Sequence, residues 1–277
     1  MSVLQNLFKS KKKSSEFFLD EDTLKEWFQP ANPLPEYQHK SFLAKNSVTP
    51  HYPDIDEICQ RLYAGENVHE YWKNHGYQPQ TQCEAKPEYA HFGDATINAI
   101  WDVCEPKFFV EVGSFIGASA LAFGNKLQKT GGLMLCIDTW CGDINMWTLD
   151  VFVNHMDLRD GDPALYAHFM KNIQNYELTN TVFPLRLSSL VGARLIHSFG
   201  WTPDVVYLDS AHVLGETFFE LNLYWNILKP GGVLLGDDYH GFPAVKRDVD
   251  LFLQFKGLDL KNDLIFTGDG DTYMIVK

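Results

Sequence analysis

The stretch that most constrains the fold is Phe109-Val-Glu-Val-Gly-Ser-Phe-Ile-Gly-Ala-Ser119, an apolar run that empties into a Glu-x-Gly-x-x-x-Gly-x-Ser turn and then a helical pattern. It reads as strand, loop, helix. Gly113 and Gly117 carry no Cβ and tolerate unusual backbone angles, so a ligand can approach the bare backbone there. A nucleotide-like ligand is the first expectation.

With 277 residues and 45% hydrophobic content, the chain can build one large α/β domain with an appendage. Its 36 acidic residues against 23 basic give a formal net charge of -13, which disfavours nucleic acid or an anionic membrane as partner. A small-molecule partner is expected, with a homo-oligomer left open. Five cysteines, Cys59, Cys83, Cys104, Cys136 and Cys141, form no C-x-x-C pair, and their odd number argues against a closed disulfide framework. Neither a membrane-length apolar run nor a signal-peptide core is evident, so the expected compartment is the cytoplasm. The basic run Lys9-Ser-Lys-Lys-Lys13 reads as a solvated tail, and the first ~15 residues as disordered.

Residues 1–90 are rich in Pro, Tyr, His and Trp and are broken by Gln29-Pro-Ala-Asn-Pro-Leu-Pro35. They read as an irregular N-terminal appendage or cap, with short helices at Asp22 to Phe28 and Asp54 to Ala64. Further on, strands near 107–112, 133–138, 182–187, 204–209 and 231–237 alternate with helices near 117–129, 164–176, 189–199, 213–228 and 243–255. This alternation predicts a parallel sheet covered on both faces. Asp259 to Phe266 and Thr272 to Val276 flank a Gly-Asp-Gly turn and predict an antiparallel C-terminal hairpin at one sheet edge.

Spacing separates the possible ligands of the glycine turn. A P-loop needs Gly-Lys-Ser/Thr, but Gly117 is followed by Ala118 and Ser119. A dinucleotide fingerprint needs a glycine where Phe115 stands. The only Tyr-x-x-x-Lys pair, Tyr273 with Lys277, falls in the last predicted strand and reads as chance. The remaining pattern, with the acid closing Leu133-Met-Leu-Cys-Ile-Asp138, resembles the class I S-adenosylmethionine (SAM) dependent methyltransferases. The resemblance covers roughly residues 90–277 and implies a Rossmann-like seven-stranded α/β sheet. It also implies SAM contacts from Glu111, Gly113, Ser114, Gly117, Ser119, Asp138, Thr139, Trp140 and Asp209. Asp138 would hold the ribose. Ser188 and Ser189, at the end of the third strand, fit both a helix N-cap and an adenine contact.

The fourth and fifth strands end in Asp209-Ser-Ala-His212 and Asp237-Asp238-Tyr-His240. Neighbouring parallel strands bring these ends to one crevice, where three uncompensated carboxylates call for a divalent cation with oxygen ligands, Mg²⁺, Mn²⁺ or Ca²⁺ rather than zinc, the alternative being that one aspartate caps the following helix and another sits in solvent. In this respect the chain resembles cation-dependent O-methyltransferases, of the catechol type and of antibiotic sugar pathways, which implies Asp209, Asp237 and Asp238 as metal ligands. His212 stands where the catechol-type enzymes carry a lysine, and titrates in the range a base needs. It and Asp209 are the candidate catalytic residues; packing against Glu216 is the structural reading of His212. Cys141 has no basic partner nearby and reads as a packing residue.

The polar, glycine-punctuated segment 141–163 reads as a lid-like insertion. Trp147, His155 and Met156 would then face the acceptor, with Tyr239 and His240 as further candidates; a plain surface loop is the alternative. The expected protein is an O-directed, metal-assisted SAM-dependent methyltransferase acting on a small hydroxylated acceptor, of sugar or natural-product type. A metal-independent N- or O-methyltransferase and a non-catalytic SAM-binding module are the alternatives.

Overall fold

The computed structural model describes residues 50–79, 83–90, 92–149, 153, 156–158, 160–210, 212–267 and 270–277. Its helices are α1 Ile55–Leu62, α2 Val68–His75, α3 Asp94–Val103, α4 Ala118–Thr130, α5 Ile144–Thr148, α6 Leu165–Asn175, α7 Ser189–Phe199, α8 Glu216–Ile227 and α9 Pro243–Lys256. The strands are β1 Phe108–Val112, β2 Leu133–Asp138, β3 Val182–Arg186, β4 Val205–Leu208, β5 Val233–Gly236, β6 Ile265–Thr267 and β7 Thr272–Val276.

These seven strands form one sheet in the order β3-β2-β1-β4-β5-β7-β6, as expected for the α/β class. The pairs from β3 through β5 are parallel, whereas β7 runs antiparallel to both β5 and β6. Every residue of β1, β4 and β5 is buried, so helices cover both faces and the strands read as continuous apolar runs. From β1 the chain proceeds outward to β2 and β3, then returns to place β4 on the other side of β1. That reversal leaves a crevice beyond the carboxyl ends of β1 and β4, the position at which open α/β sheets bind ligands.

The core gathers around Phe109, Phe123 and Tyr207, with Phe92 stacked on Phe123 at 4.5 Å between ring centroids. Such ring pairs add roughly 1 kcal/mol beyond the area they bury. Local chemistry sets several helix ends. Asp54 caps α1 by accepting from the Glu57 amide at 2.8 Å, and left-handed Gly131 and Gly200 close α4 and α7.

Two elements depart from the sequence reading. The penultimate strand is shorter than Asp259 to Phe266 because the Asp259 carboxylate accepts from the Lys261 and Asn262 amides, at 2.9 and 3.0 Å, and curls the chain into a turn. Within the segment read as irregular, α2 also forms. Its buried His69 meets the Val182 carbonyl at 2.7 Å and fastens the helix beside β3. The readings at Asp22 to Phe28 and Lys9 to Lys13 lie outside the described residues.

Candidate functional site

The glycine turn forms at the end of β1. Gly113 has φ +84°, and an added Cβ would lie 1.9 Å from the Asp209 carbonyl oxygen, so only glycine lets β1 and β4 approach this closely. Gly117 has φ 100° and starts α4. Between them, Phe115 holds a left-handed conformation at φ 45°. Asp138 stabilises this turn: one carboxylate oxygen accepts from the Ser114 and Phe115 amides, both at 2.9 Å, and the other from Trp140 N at 2.7 Å. The acid closing β2 thus ties the turn to its neighbouring strand as well as lining the cavity.

Glu111 lies beneath the turn, fully buried, and accepts from Ser114 Oγ at 2.5 Å. Burial pushes its carboxyl up to about 7. An acid whose folded value is raised adds stability that is complete below its ordinary value near 4.5 and is lost as pH rises through about 7. Glu111→Gln is therefore expected to match wild type at pH ~4 and to exceed it by a few kcal/mol at pH ~8. Thermal melts across that range check it; a difference that does not grow with pH would count against it.

Past β4 and β5 the predicted carboxylates converge. Asp209 Oδ1 lies 3.9 Å from His212 Nε2, and Asp238 Oδ2 lies 2.7 Å from the same nitrogen. One ligand atom from each of Asp209, His212 and Asp238 falls within 4.8 Å of the others, a spacing that fits a divalent cation. Asp237 sits deeper, accepting from Tyr207 OH at 3.3 Å and Thr272 Oγ1 at 3.0 Å. The close triad therefore includes His212, with Asp237 behind it. Burial first, and then the Asp237 and Asp238 charges, push the Asp209 carboxyl up to about 8. Asp238 has φ 63°, a conformation that Asp tolerates better than most side chains.

Burial disfavours the His212 cation, but the Asp238 hydrogen bond and the Asp209, Asp238 and Asp143 charges outweigh it and raise its pKa. Its Nδ1 lies 3.7 Å from Asp143 Oδ2, and Phe242 packs on its ring at 4.3 Å.

One cavity of about 1130 Å³ joins these parts. Gly113, Ser114, Ser119, Asp138 and Thr139 line it, as do Ser188 and Ser189. So do Asp209, His212, Asp237 and Asp238. Other sequence candidates stand off its wall. Gly117 faces Phe169, and Trp140 is buried with its indole N–H donating to Phe115 O at 2.7 Å. Trp147 is exposed and donates to Cys141 O at 2.9 Å, whereas Met156 is wholly buried in the core. Tyr239 is buried with its hydroxyl 2.6 Å from Asp250, and the exposed His240 stacks on Phe266. His155 lies outside the described residues. Cys141 is exposed rather than packed, in the turn after β2 where its amide donates to Thr139 Oγ1 at 3.2 Å.

Sequence reasoning passed over Tyr207, Asp143 and Phe242. For Tyr207 a signal existed, since residues two apart on a strand share a face and Tyr207 precedes Asp209 by two. Asp143 and Phe242 reach His212 only through loop packing.

Residues 110–239 match the family model described as a methyltransferase domain. No match is found among curated proteins. Among solved structures, an O-methyltransferase from Bacillus cereus in complex with SAH is 12% identical, over 80% of this chain and 97% of that one, with a TM-score of 0.47. A calicheamicin methyltransferase is 15% identical over 65% of this chain and 77% of its own, with a TM-score of 0.48. TomG, an O-methyltransferase from Streptomyces achromogenes involved in tomaymycin synthesis and solved with SAM, is 14% identical over 69% and 79%, with a TM-score of 0.46. The family match identifies residues 110–239 as a methyltransferase domain, and the sheet order with the glycine turn opening beside the β1–β4 reversal agrees with it.

Proposed function

We propose that the protein methylates a hydroxyl group of a small-molecule acceptor, assisted by a divalent cation such as Mg²⁺. The observation that carries this reading is the single cavity shared by the cofactor turn and the Asp209–His212–Asp238 cluster. In this reading Gly113, Ser114, Ser119 and Asp138 hold SAM, and Ser188 and Ser189 flank its adenine. SAM bound there would supply an electrophilic methyl group for transfer to the acceptor oxygen, with its thioether as the leaving group.

A divalent cation would be held by Asp209 and Asp238 with Asp237 behind them, and would acidify a hydroxyl bound to it. The chain's own work is positioning and proton removal. The His212 imidazole takes the hydroxyl proton, its plane held by Phe242, and Asp143 stabilises the imidazolium that results. A second reading, favoured by the spacing within the close triad, makes His212 a metal ligand instead.

Calorimetric titration with SAM, in EDTA and then in Mg²⁺, tests both levels. SAM should bind in either buffer, and turnover should need the metal. Absence of SAM binding would sink the reading, and full turnover in EDTA would remove the cation from it. His212→Gln separates the two roles of the histidine: a base variant keeps its Mg²⁺ affinity and loses turnover, whereas a ligand variant loses both.

Among the described residues no helix is long and apolar enough to cross a membrane. Residues 1–90 as a cap, 141–163 as a lid and a cytoplasmic location remain part of this proposal.

A further inference from the structure

The cavity wall is strongly acidic, with His212 as the one basic side chain among its described lining residues. Nine of its lining residues are Asp or Glu and, among the described residues, none is Lys or Arg. Several of the nine accept from the protein's own donors: Asp138 holds the glycine turn, Glu220 accepts from Ser210 Oγ at 2.8 Å, Asp143 from the Met146 amide at 2.8 Å and Asp271 from the Gly241 amide at 3.3 Å. Asp209, Asp237 and Asp238 form the candidate metal cluster, so a divalent cation would offset only part of the total. Glu84, Asp143, Glu216 and Asp271 are further wall carboxylates outside that cluster, contributed by four separate segments of the chain. Tyr89, Phe219 and Phe242 share that wall, and aromatic rings attract cations as well.

A cleft lined by one sign of charge concentrates ligands of the opposite sign and repels those of its own. The methyl donor is itself a cation and fits this field. An acceptor bearing phosphate or carboxylate would enter it against repulsion from several sides, with no described guanidinium or ammonium on the wall to receive it.

We propose that the acceptor is a hydroxyl compound carrying a protonated amine, such as an amino sugar or an arylalkylamine, and that phosphorylated, carboxylated and coenzyme A-linked hydroxyl compounds are rejected by charge. The inference rests on the methyltransferase reading above and narrows the substrate class of the same site.

The test uses the full chain loaded with SAH and two scaffolds, each in cationic, neutral and anionic form. Dopamine, 4-methylcatechol and 3,4-dihydroxyphenylacetate form one set; glucosamine, glucose and glucose 6-phosphate form the other. Calorimetric affinities are measured from about 20 mM to about 500 mM salt. On at least one scaffold the cation should bind about tenfold or more tighter than the anion, with the ratio shrinking as salt rises. Glu84→Gln, at an exposed wall position, should narrow that ratio at low salt. Equal or reversed preference, a ratio indifferent to salt, or no binding of either cation would overturn the proposal. SAH loading is measured first: its failure counts against the methyltransferase reading, whereas normal loading with the wrong charge preference counts against the charge inference alone.

Discussion

Gly113→Ala is expected to weaken SAM binding by about 100-fold or more and to lower the melting temperature by several degrees. The left-handed backbone at φ +84° already costs a non-glycine residue roughly 1 kcal/mol. The larger effect comes from the new Cβ, which would lie 1.9 Å from the Asp209 carbonyl oxygen and 2.7 Å from Ser210 Cα. Neither strand can withdraw easily. Gly113 N donates to Ile137 O and Asp209 N donates to Val112 O, each at 2.9 Å, so relief of the clash breaks the sheet at its ligand-binding end. Gly131→Ala is the control, because Gly131 is also left-handed, at φ +71°, but has open space where the Cβ would go. It should cost about 1 kcal/mol and leave SAM affinity unchanged. Calorimetry and thermal melts on both variants decide the matter: SAM affinity within threefold of wild type in Gly113→Ala would show that the turn is not the cofactor's seat.

Asp209→Asn is expected to lower turnover by about a thousandfold while making the metal-free protein more stable at pH ~8. The two effects have one origin. Asp209 is held among Asp237, Asp238 and a buried wall, and its carboxyl is pushed up to about 8. Because the folded value lies above the ordinary one, the stability linked to this group is complete below pH ~4 and is lost as pH rises through about 8. Asparagine removes the charge and with it that loss. It also removes a candidate metal ligand and the acidic neighbour of His212, 3.9 Å away. Melting curves and turnover measured together at pH ~8 test the coupling: unchanged turnover would remove Asp209 from the chemistry, and a lower melting point would show that its charge is not a source of strain.

Much of the framework is legible in the amino-acid sequence. Phe108 to Val112 is apolar apart from Glu111 and lies between β2 and β4, as a strand buried on both faces must. The helix patterns at 189–199 and 243–255 correspond to α7 and α9, which end at left-handed glycines. Asp209, Asp237 and Asp238 could be expected at one crevice because each closes a parallel strand, and all three line the cavity. Less legible were features that depend on which loops pack together. Asp143 caps α5 through the Met146 amide, a purely local role, yet its other oxygen faces His212 across a sequence separation that no motif records. Trp147 and Met156 looked alike as aromatic or soft residues in one insertion, but one turns to solvent and the other enters the core.

The sequence by itself determined the order of strands and helices, the glycine turn and the supply of carboxylates at strand ends. These depend on periodicity, backbone freedom and side-chain type over a few neighbouring residues. Tertiary structure alone decided that Glu111 lies under the turn instead of on the cavity wall, that His212 takes Asp237's expected place in the close triad, and that the wall gathers its carboxylates from separate segments. The physical reason is that these outcomes follow from burial and Coulomb interactions between distant segments, which exist only once the sheet has brought its strand ends together.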